Sequence, residues 1–265
     1  DTCGTGGDGK HTINISTASA IVAAAGGVRV AKHGNRAMSS RSGSADVLEA
    51  LGVRISLDRV QAARCLEEVG ICFMFAQVYH PSMRHAAAPR RELGVRTVFN
   101  LLGPLTNPAG ADRQLLGVYD REKTELMAKV LKELGAARAL VVGGHDGLDE
   151  ISLSAPTRVT ELKDGVLKTY DITPDDLGLR ECRIEDIVGG DAVENARTIR
   201  AVLSGQKGPH RDIVLANAGA CFYVSGRSGT LQEGVKRAAD AIDSGAALAK
   251  LEQLVRTTEA LANVS

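Results

Sequence analysis

The chain opens Asp1-Thr2-Cys3-Gly4-Thr5-Gly6-Gly7-Asp8-Gly9, and how this stretch is read decides the rest. Four glycines in nine positions strip side chains from a turn, so backbone N–H groups can wrap an anion. Asn14-Ile15-Ser16-Thr17 then opens an Ala-rich helix over 16–25, placing hydroxyls and first-turn N–H groups where a phosphate would sit. Gly26-Gly27 supplies the stop. The chain begins inside a phosphate loop with no initiator Met, so an upstream segment is expected.

Outward from that loop, strand and helix patterns alternate. Val28–Ala31 reads as a short strand, 44–51 as a helix, and Asp58 as the cap of a helix running through Val69. Ile71-Cys72-Phe73-Met74-Phe75 is an apolar run of buried-strand type. Residues 81–110 carry Pro81, Pro89, Pro104 and Pro108 and read as an excursion from the body. Alternation resumes with a strand at Leu115–Tyr119, a helix over 121–134 and a strand at Ala139–Val142. Lys163-Asp164-Gly165 marks a hairpin between Val159–Leu162 and Val166–Tyr170. Helices follow at 191–204, 209–224 and 231–262, the last broken near Gly245. The pattern predicts an α/β fold with a mostly parallel central sheet flanked by helices.

Composition sets the limits. With four Phe, four Tyr and no Trp, the core must be built from Ala, Val, Leu and Ile, which suits helices packed on a parallel sheet. Lys+Arg and Asp+Glu balance at 32 each, which opposes a general nucleic-acid or membrane binder. The cysteines Cys3, Cys65, Cys72, Cys182 and Cys221 show no C-x-x-C spacing and read as reduced, buried thiols. No apolar run reaches membrane-spanning length and no secretory signal is visible, so a cytoplasmic protein is expected.

Three polar, Gly-rich loops, 4–12, 32–44 and 144–150, each follow a strand-like run, where ligands of open α/β sheets gather. Asp8 reads either as a helix-capping carboxylate or as a contact to sugar hydroxyls or metal-bound water. Ser16 and Thr17 either cap the helix or hold a phosphate, and Lys32 either neutralises a phosphate or sits on the surface. Asp149-Glu150 reads as an exposed acidic turn when taken alone. Beside phosphate loops it reads better as a Mg²⁺ site, because that ion takes one or two carboxylates plus phosphate oxygens. Arg90 and Arg91 offer a bidentate grip on a carboxylate or form a solvated face. The histidines His11, His80, His85 and His210 form no metal spacing.

Taken together, Gly4-Thr5-Gly6-Gly7-Asp8, Asn14-Ile15-Ser16-Thr17, Lys32-His33-Gly34-Asn35-Arg36 and Ser42-Gly43-Ser44-Ala45-Asp46 closely resemble the anthranilate phosphoribosyltransferase family. So do His80-Pro81-Ser82-Met83, Asn100 through Pro108, and Asp149-Glu150, all in the family's order. The resemblance implies transfer of phosphoribose from 5-phosphoribosyl pyrophosphate (PRPP) to the amino group of anthranilate, with release of pyrophosphate. It implies a PRPP site lined by Gly4, Gly7, Asp8 and Thr12, with Asn14, Ile15, Ser16 and Thr17 around the pyrophosphate. Lys32, His33, Gly34, Asn35, Arg36, Ala37, Met38, Ser39, Ser40 and Ser44 would complete it. Gly4, Asn35 and Arg90 would bind anthranilate. Ser16, Asp149 and Glu150 would hold Mg²⁺, as a pair of ions. No residue is assigned as a general acid or base.

The same resemblance divides the chain into an α/β PRPP-binding domain, 1–78 and 108–265, and a segment 79–107 belonging to a small helical domain. The rest of that domain, and the homodimer contact, would come from upstream residues, leaving an apolar face that favours aggregation. A pyrimidine nucleoside phosphorylase of related fold is a rival reading, though its loops are organised differently. A nucleic-acid-binding relative is another, opposed by the intact phosphate and carboxylate motifs and the zero formal charge.

Overall fold

The computed structural model describes residues 1–37, 41–83 and 98–263. Its elements run β1 (Thr2–Gly4), α1 (Ile15–Ala25), β2 (Val30–Gly34), α2 (Ser44–Ala50), α3 (Arg59–Val69), β3 (Ile71–Phe75) and α4 (Ala76–Tyr79). After the undescribed stretch come α5 (Val98–Leu102), β4 (Arg113–Gly117), α6 (Thr124–Glu133), β5 (Arg138–Gly144), β6 (Thr157–Lys163) and β7 (Val166–Ile172). The chain finishes with α7 (Ala192–Leu203), α8 (Pro209–Val224), α9 (Leu231–Asp243) and α10 (Ala246–Ala262).

A five-stranded sheet has the order β1-β4-β5-β6-β7, and β2 and β3 form a separate parallel pair. The joins β1–β4 and β4–β5 are parallel; β5–β6 and β6–β7 are antiparallel. The antiparallel edge is the expected hairpin, turned by Asp164 (φ 52°) and Gly165 (φ 74°). Along β4 and β5, side chains alternate between two cores. Leu115, Leu140 and Val142 join the main core. Leu116, Ala139 and Val141 join a smaller one with Met127, Ala128 and Leu131 of α6. The sheet is therefore covered on both faces, and with two parallel and two antiparallel joins it is mixed where a mostly parallel one was expected, the hairpin supplying the antiparallel half.

Local signals account for most boundaries. Asp58 caps α3 by accepting the Gln61 N–H, Gly70 closes that helix in the left-handed conformation, and Gly245 (φ 79°) separates α9 from α10. One boundary moved. β2 runs on through Lys32, His33 and Gly34, because its register against β3 pairs Val30 with Ile71 and Gly34 with Phe75. Lys32 and His33 are thus strand residues, both buried.

Helices α1 and α8 pack together and are buried on nearly every side, so α1 and the body of α8 beyond Asp212 are mostly apolar or small around their whole circumference. Where α8 meets α9 the backbones nearly touch. A Cβ on Gly219 would lie 2.7 Å from the Val235 nitrogen, and one on Gly234 would run into the Gly219 carbonyl. Gly219→Ala should therefore overpack this crossing and cost about 2 kcal/mol, read as a lowered midpoint of thermal unfolding; an unchanged midpoint would contradict the packing described.

Candidate active site

β1 and β4 end side by side, with Gly4 paired to Gly117. Both positions need glycine for the same reason. A Cβ on Gly4 would collide with the Asp149 carboxylate, and one on Gly117 with the Asp149 backbone. The turn after β5 thus lies across the carboxyl ends of two parallel strands and delivers its acidic pair to the glycine loop. Gly6 N–H donates to Asp149 Oδ2 at 2.7 Å, and the Asp8 carboxyl group lies beside Asp149. The carboxyl group of buried Glu150 faces the Ser16 N–H at the start of α1. From behind, buried Asn217 of α8 fixes this turn: its Oδ1 accepts the Ile151 N–H at 3.0 Å and its Nδ2 donates to the Ile151 carbonyl at 3.1 Å.

Lys32 lies 2 % exposed on β2 and reaches back to β1. Its Nζ donates to the Thr2 carbonyl at 2.6 Å and to Ser16 Oγ at 3.2 Å. Burial lowers the pKa of this ammonium group, while the Cys3 thiol and the Glu150 carboxylate favour its charge. Burial raises Asp149 well above the usual carboxylate range, and the neighbouring Asp8 and Glu150 carboxylates add to the effect. Burial also pushes Glu150 up to about 8, with Lys32 pulling it back.

Among the described residues, no group of three or more His, Cys, Asp and Glu side chains forms a metal cage by itself. The donors gathered here are instead the Ser16 hydroxyl and the oxygens of Asp149 and Glu150. Hard oxygen donors of this number suit Mg²⁺, which completes its shell with water and phosphate oxygens. A divalent cation would also favour the ionised carboxylates that burial disfavours. The residues therefore fit the ion.

The second loop, after β2, is closed by a residue to which the sequence assigned no role. Asp46 Oδ2 accepts the N–H groups of Ala37 and Gly43, each at 2.9 Å, and its Oδ1 accepts Arg36 Nη1 at 2.8 Å. Burial opposes ionisation of Asp46, but these donors hold it below the usual range. Arg36 also grips Glu49 at 2.8 and 3.1 Å and lies over the Phe75 ring at 5.5 Å. Its guanidinium is thus committed to shaping the loop. Asn35 is exposed, its Oδ1 accepting the Arg36 N–H at 2.8 Å, and Ser44 Oγ donates to the Asn35 carbonyl at 3.3 Å. Asp46 stands three residues after Gly43, the capping-box position, which is the local signal that could have revealed it.

Of the expected site residues, Gly4 ends β1, Gly7, Asp8, Thr12 and Asn14 lie in the loop that leads to α1, and Ile15, Ser16 and Thr17 open that helix; Lys32, His33 and Gly34 end β2, Asn35, Arg36 and Ala37 follow it, Ser44 starts α2, and Asp149 and Glu150 lie in the turn after β5. Met38, Ser39, Ser40 and Arg90 lie outside the described residues. Ile15 and Thr17 are buried, and the Thr17 hydroxyl has no hydrogen-bond partner among the described residues. His33 packs edge-on against His80 at 5.0 Å, and the ring of His80 contacts the Thr106 carbonyl at 3.1 Å. Asn107 ties the same region to β1 and β2, donating to Asp1 Oδ2 and the Ala31 carbonyl, both at 2.8 Å.

A glycine loop, a helix start and an acidic turn converging on parallel strand ends define a glycosyl-transfer domain. Residues 1–248 match the family described as glycosyl transferase family, a/b domain. An anthranilate phosphoribosyltransferase of Brevibacillus brevis is 58 % identical over 254 residues, 96 % of this chain and 74 % of that protein. The crystal structure of the Thermus thermophilus anthranilate phosphoribosyltransferase superposes with a TM-score of 0.92 at 52 % identity, covering 98 % of this chain and 77 % of that one. That of Saccharomyces cerevisiae, in complex with PRPP and Mg, superposes with a TM-score of 0.90 at 33 % identity, covering 98 % and 73 %. The chain belongs to the anthranilate phosphoribosyltransferase family.

Burial, followed by the neighbouring His80, lowers the pKa of His33 from 6.5 to about 4. The folded chain keeps this ring neutral while the unfolded chain protonates it below pH 6.5. Its contribution to stability is therefore complete above pH 6.5 and is lost as pH falls toward 4, by up to about 3 kcal/mol. Thermal unfolding between pH 4 and 7 should show this limb, and His33→Gln should flatten it; parallel profiles would refute the assignment.

Proposed function

We propose that this chain transfers the 5-phosphoribosyl group from PRPP to the amino group of anthranilate, giving N-(5-phosphoribosyl)anthranilate and pyrophosphate in tryptophan biosynthesis. The observation that carries this reading is the meeting of the glycine loop, the start of α1, buried Lys32 and the Asp149–Glu150 turn at one end of the sheet. PRPP lies against Gly4, Gly7, Asp8 and Thr12, with its pyrophosphate at Asn14 to Thr17 and the loop from Lys32 to Ser40 and Ser44 enclosing it. Anthranilate is held by Gly4, Asn35 and Arg90. Ser16, Asp149 and Glu150 hold Mg²⁺, as two ions; bound there, the ion offsets charge developing on the departing pyrophosphate.

In the transfer the bond from the ribose anomeric carbon to pyrophosphate breaks, and the neutral aryl amine forms the new bond to that carbon. The amine's proton becomes strongly acidic once the bond has formed, so no residue is assigned as base. The chain's contribution is alignment of donor and acceptor and fixed donors around the leaving group. Lys32, pinned by the Thr2 carbonyl and Ser16, brings its charge without reorganisation.

The α/β PRPP-binding domain comprises 1–78 and 108–265, and 79–107 contributes to a small helical domain through which the full-length protein dimerises. Among the described residues, no helix is long and apolar enough to cross a membrane. The reading places the reaction in the cytoplasm, with no nucleic-acid partner. Replacing both carboxylates, Asp149→Asn with Glu150→Gln, should lower Mg²⁺-dependent consumption of anthranilate, followed by its fluorescence, by roughly 100-fold or more. Undiminished turnover would reject the metal assignment.

A further inference from the structure

Asn14 occupies the N-cap position of α1, yet its side chain makes no capping bond. Its amide is used elsewhere. Asn14 Nδ2 donates to the Ser42 carbonyl at 3.0 Å, and Asn14 Oδ1 accepts from Asn195 Nδ2 at 2.9 Å and from Ser42 Oγ at 3.3 Å. Asn195, 2 % exposed on α7, accepts the Gly190 N–H on its own Oδ1 at 2.8 Å. The chain of bonds runs from a backbone N–H through two amides to a backbone carbonyl. A backbone N–H can only donate and a carbonyl can only accept, so both amides have a single orientation.

The same neighbourhood clamps the glycine loop. Thr12 bridges Val188, the Ile13 N–H donates to the Ile187 carbonyl at 3.2 Å, and the Gly189 N–H donates to the His11 carbonyl at 2.8 Å. A Cβ on Gly189 would press on Asn195 Oδ1 and the Ile13 backbone. From this arrangement we infer that Asn195 is a positioning residue for the PRPP site: it holds Asn14 Oδ1 away from α1, so that the Thr17 N–H is left for the pyrophosphate, the Ile15 N–H being bonded to the Ile13 carbonyl at 2.8 Å and the Ser16 N–H facing Glu150. An asparagine at the N-cap otherwise turns its oxygen onto the N–H groups two or three residues on, and that oxygen would compete with an anion for the same donors. The inference rests on the proposed placement of pyrophosphate at Asn14 to Thr17.

Asn195→Ala removes the relay without adding charge, and Asn195→Asp keeps the size but opposes Asn14 Oδ1. Both should raise KM for PRPP by about tenfold while KM for anthranilate stays within twofold. Because Asn14 is freed to cap α1, the expected loss of thermal stability is small. Steady-state kinetics with each substrate varied in turn read the split. In a double-mutant cycle, Asn14→Ala with Asn195→Ala should be no worse than Asn14→Ala alone, since Asn195 acts through Asn14. A rise confined to Asn195→Asp would be charge repulsion alone and would overturn the inference, as would fully additive effects or equal changes in both KM values. If instead the Asp149 and Glu150 replacements leave Mg²⁺-dependent turnover intact while Asn195→Ala shows the PRPP split, the metal assignment falls and the relay stands.

Discussion

The arrangement depends on one buried charge. No backbone ladder joins β1 to β2 among the described residues, and the Lys32 ammonium spans the gap by bonding to the Thr2 carbonyl and the Ser16 hydroxyl. A buried ammonium group is costly unless its hydrogens are satisfied and an opposite charge is near. The Thr2 carbonyl of β1 and the Ser16 hydroxyl of α1 accept its hydrogens, and Lys32 and Glu150 each favour the other's charged form against burial. The requirement that stabilises the charge also assembles the site. A positive group at this point suits a polyanionic substrate, so the energetic constraint and the chemistry coincide.

Glycine makes the assembly sterically possible. The acidic turn can cross the ends of β1 and β4 only because Gly4 and Gly117 carry no side chains. On the other side of that turn, Asn217 satisfies both polar groups of Ile151 from within α8. An open loop of carboxylates would be expected to retreat into solvent; here it is pinned from both sides, which is why burial dominates the behaviour of Asp149 and Glu150.

What the sequence made legible follows the range of the interactions involved. The Asp58 cap, the Lys163-Asp164-Gly165 turn and the Gly245 break depend on a few neighbouring residues, and the pattern located each of them. The extension of β2 through Gly34 was not legible, because it is fixed by register against β3, some forty residues away. The phosphate loops and the acidic pair stood out by composition. Asn195 and Asn217 did not, since an asparagine in an amphipathic or apolar helix carries no local mark of the backbone groups it will meet. Asp46 lay within a recognised motif, but its grip on both ends of the second loop emerges only when the loop is folded.

The bond from Gly6 to Asp149 joins residues 143 apart in the chain, and that from Asn195 to Asn14 joins residues 181 apart. Contacts of such sequence separation must meet a loop-closure cost before they form. The site is therefore held together by segments drawn from across the whole chain. Its stability is bounded by the weakest of the distant segments that meet there, and a bound donor that bridges them would raise the cost of local opening across the molecule.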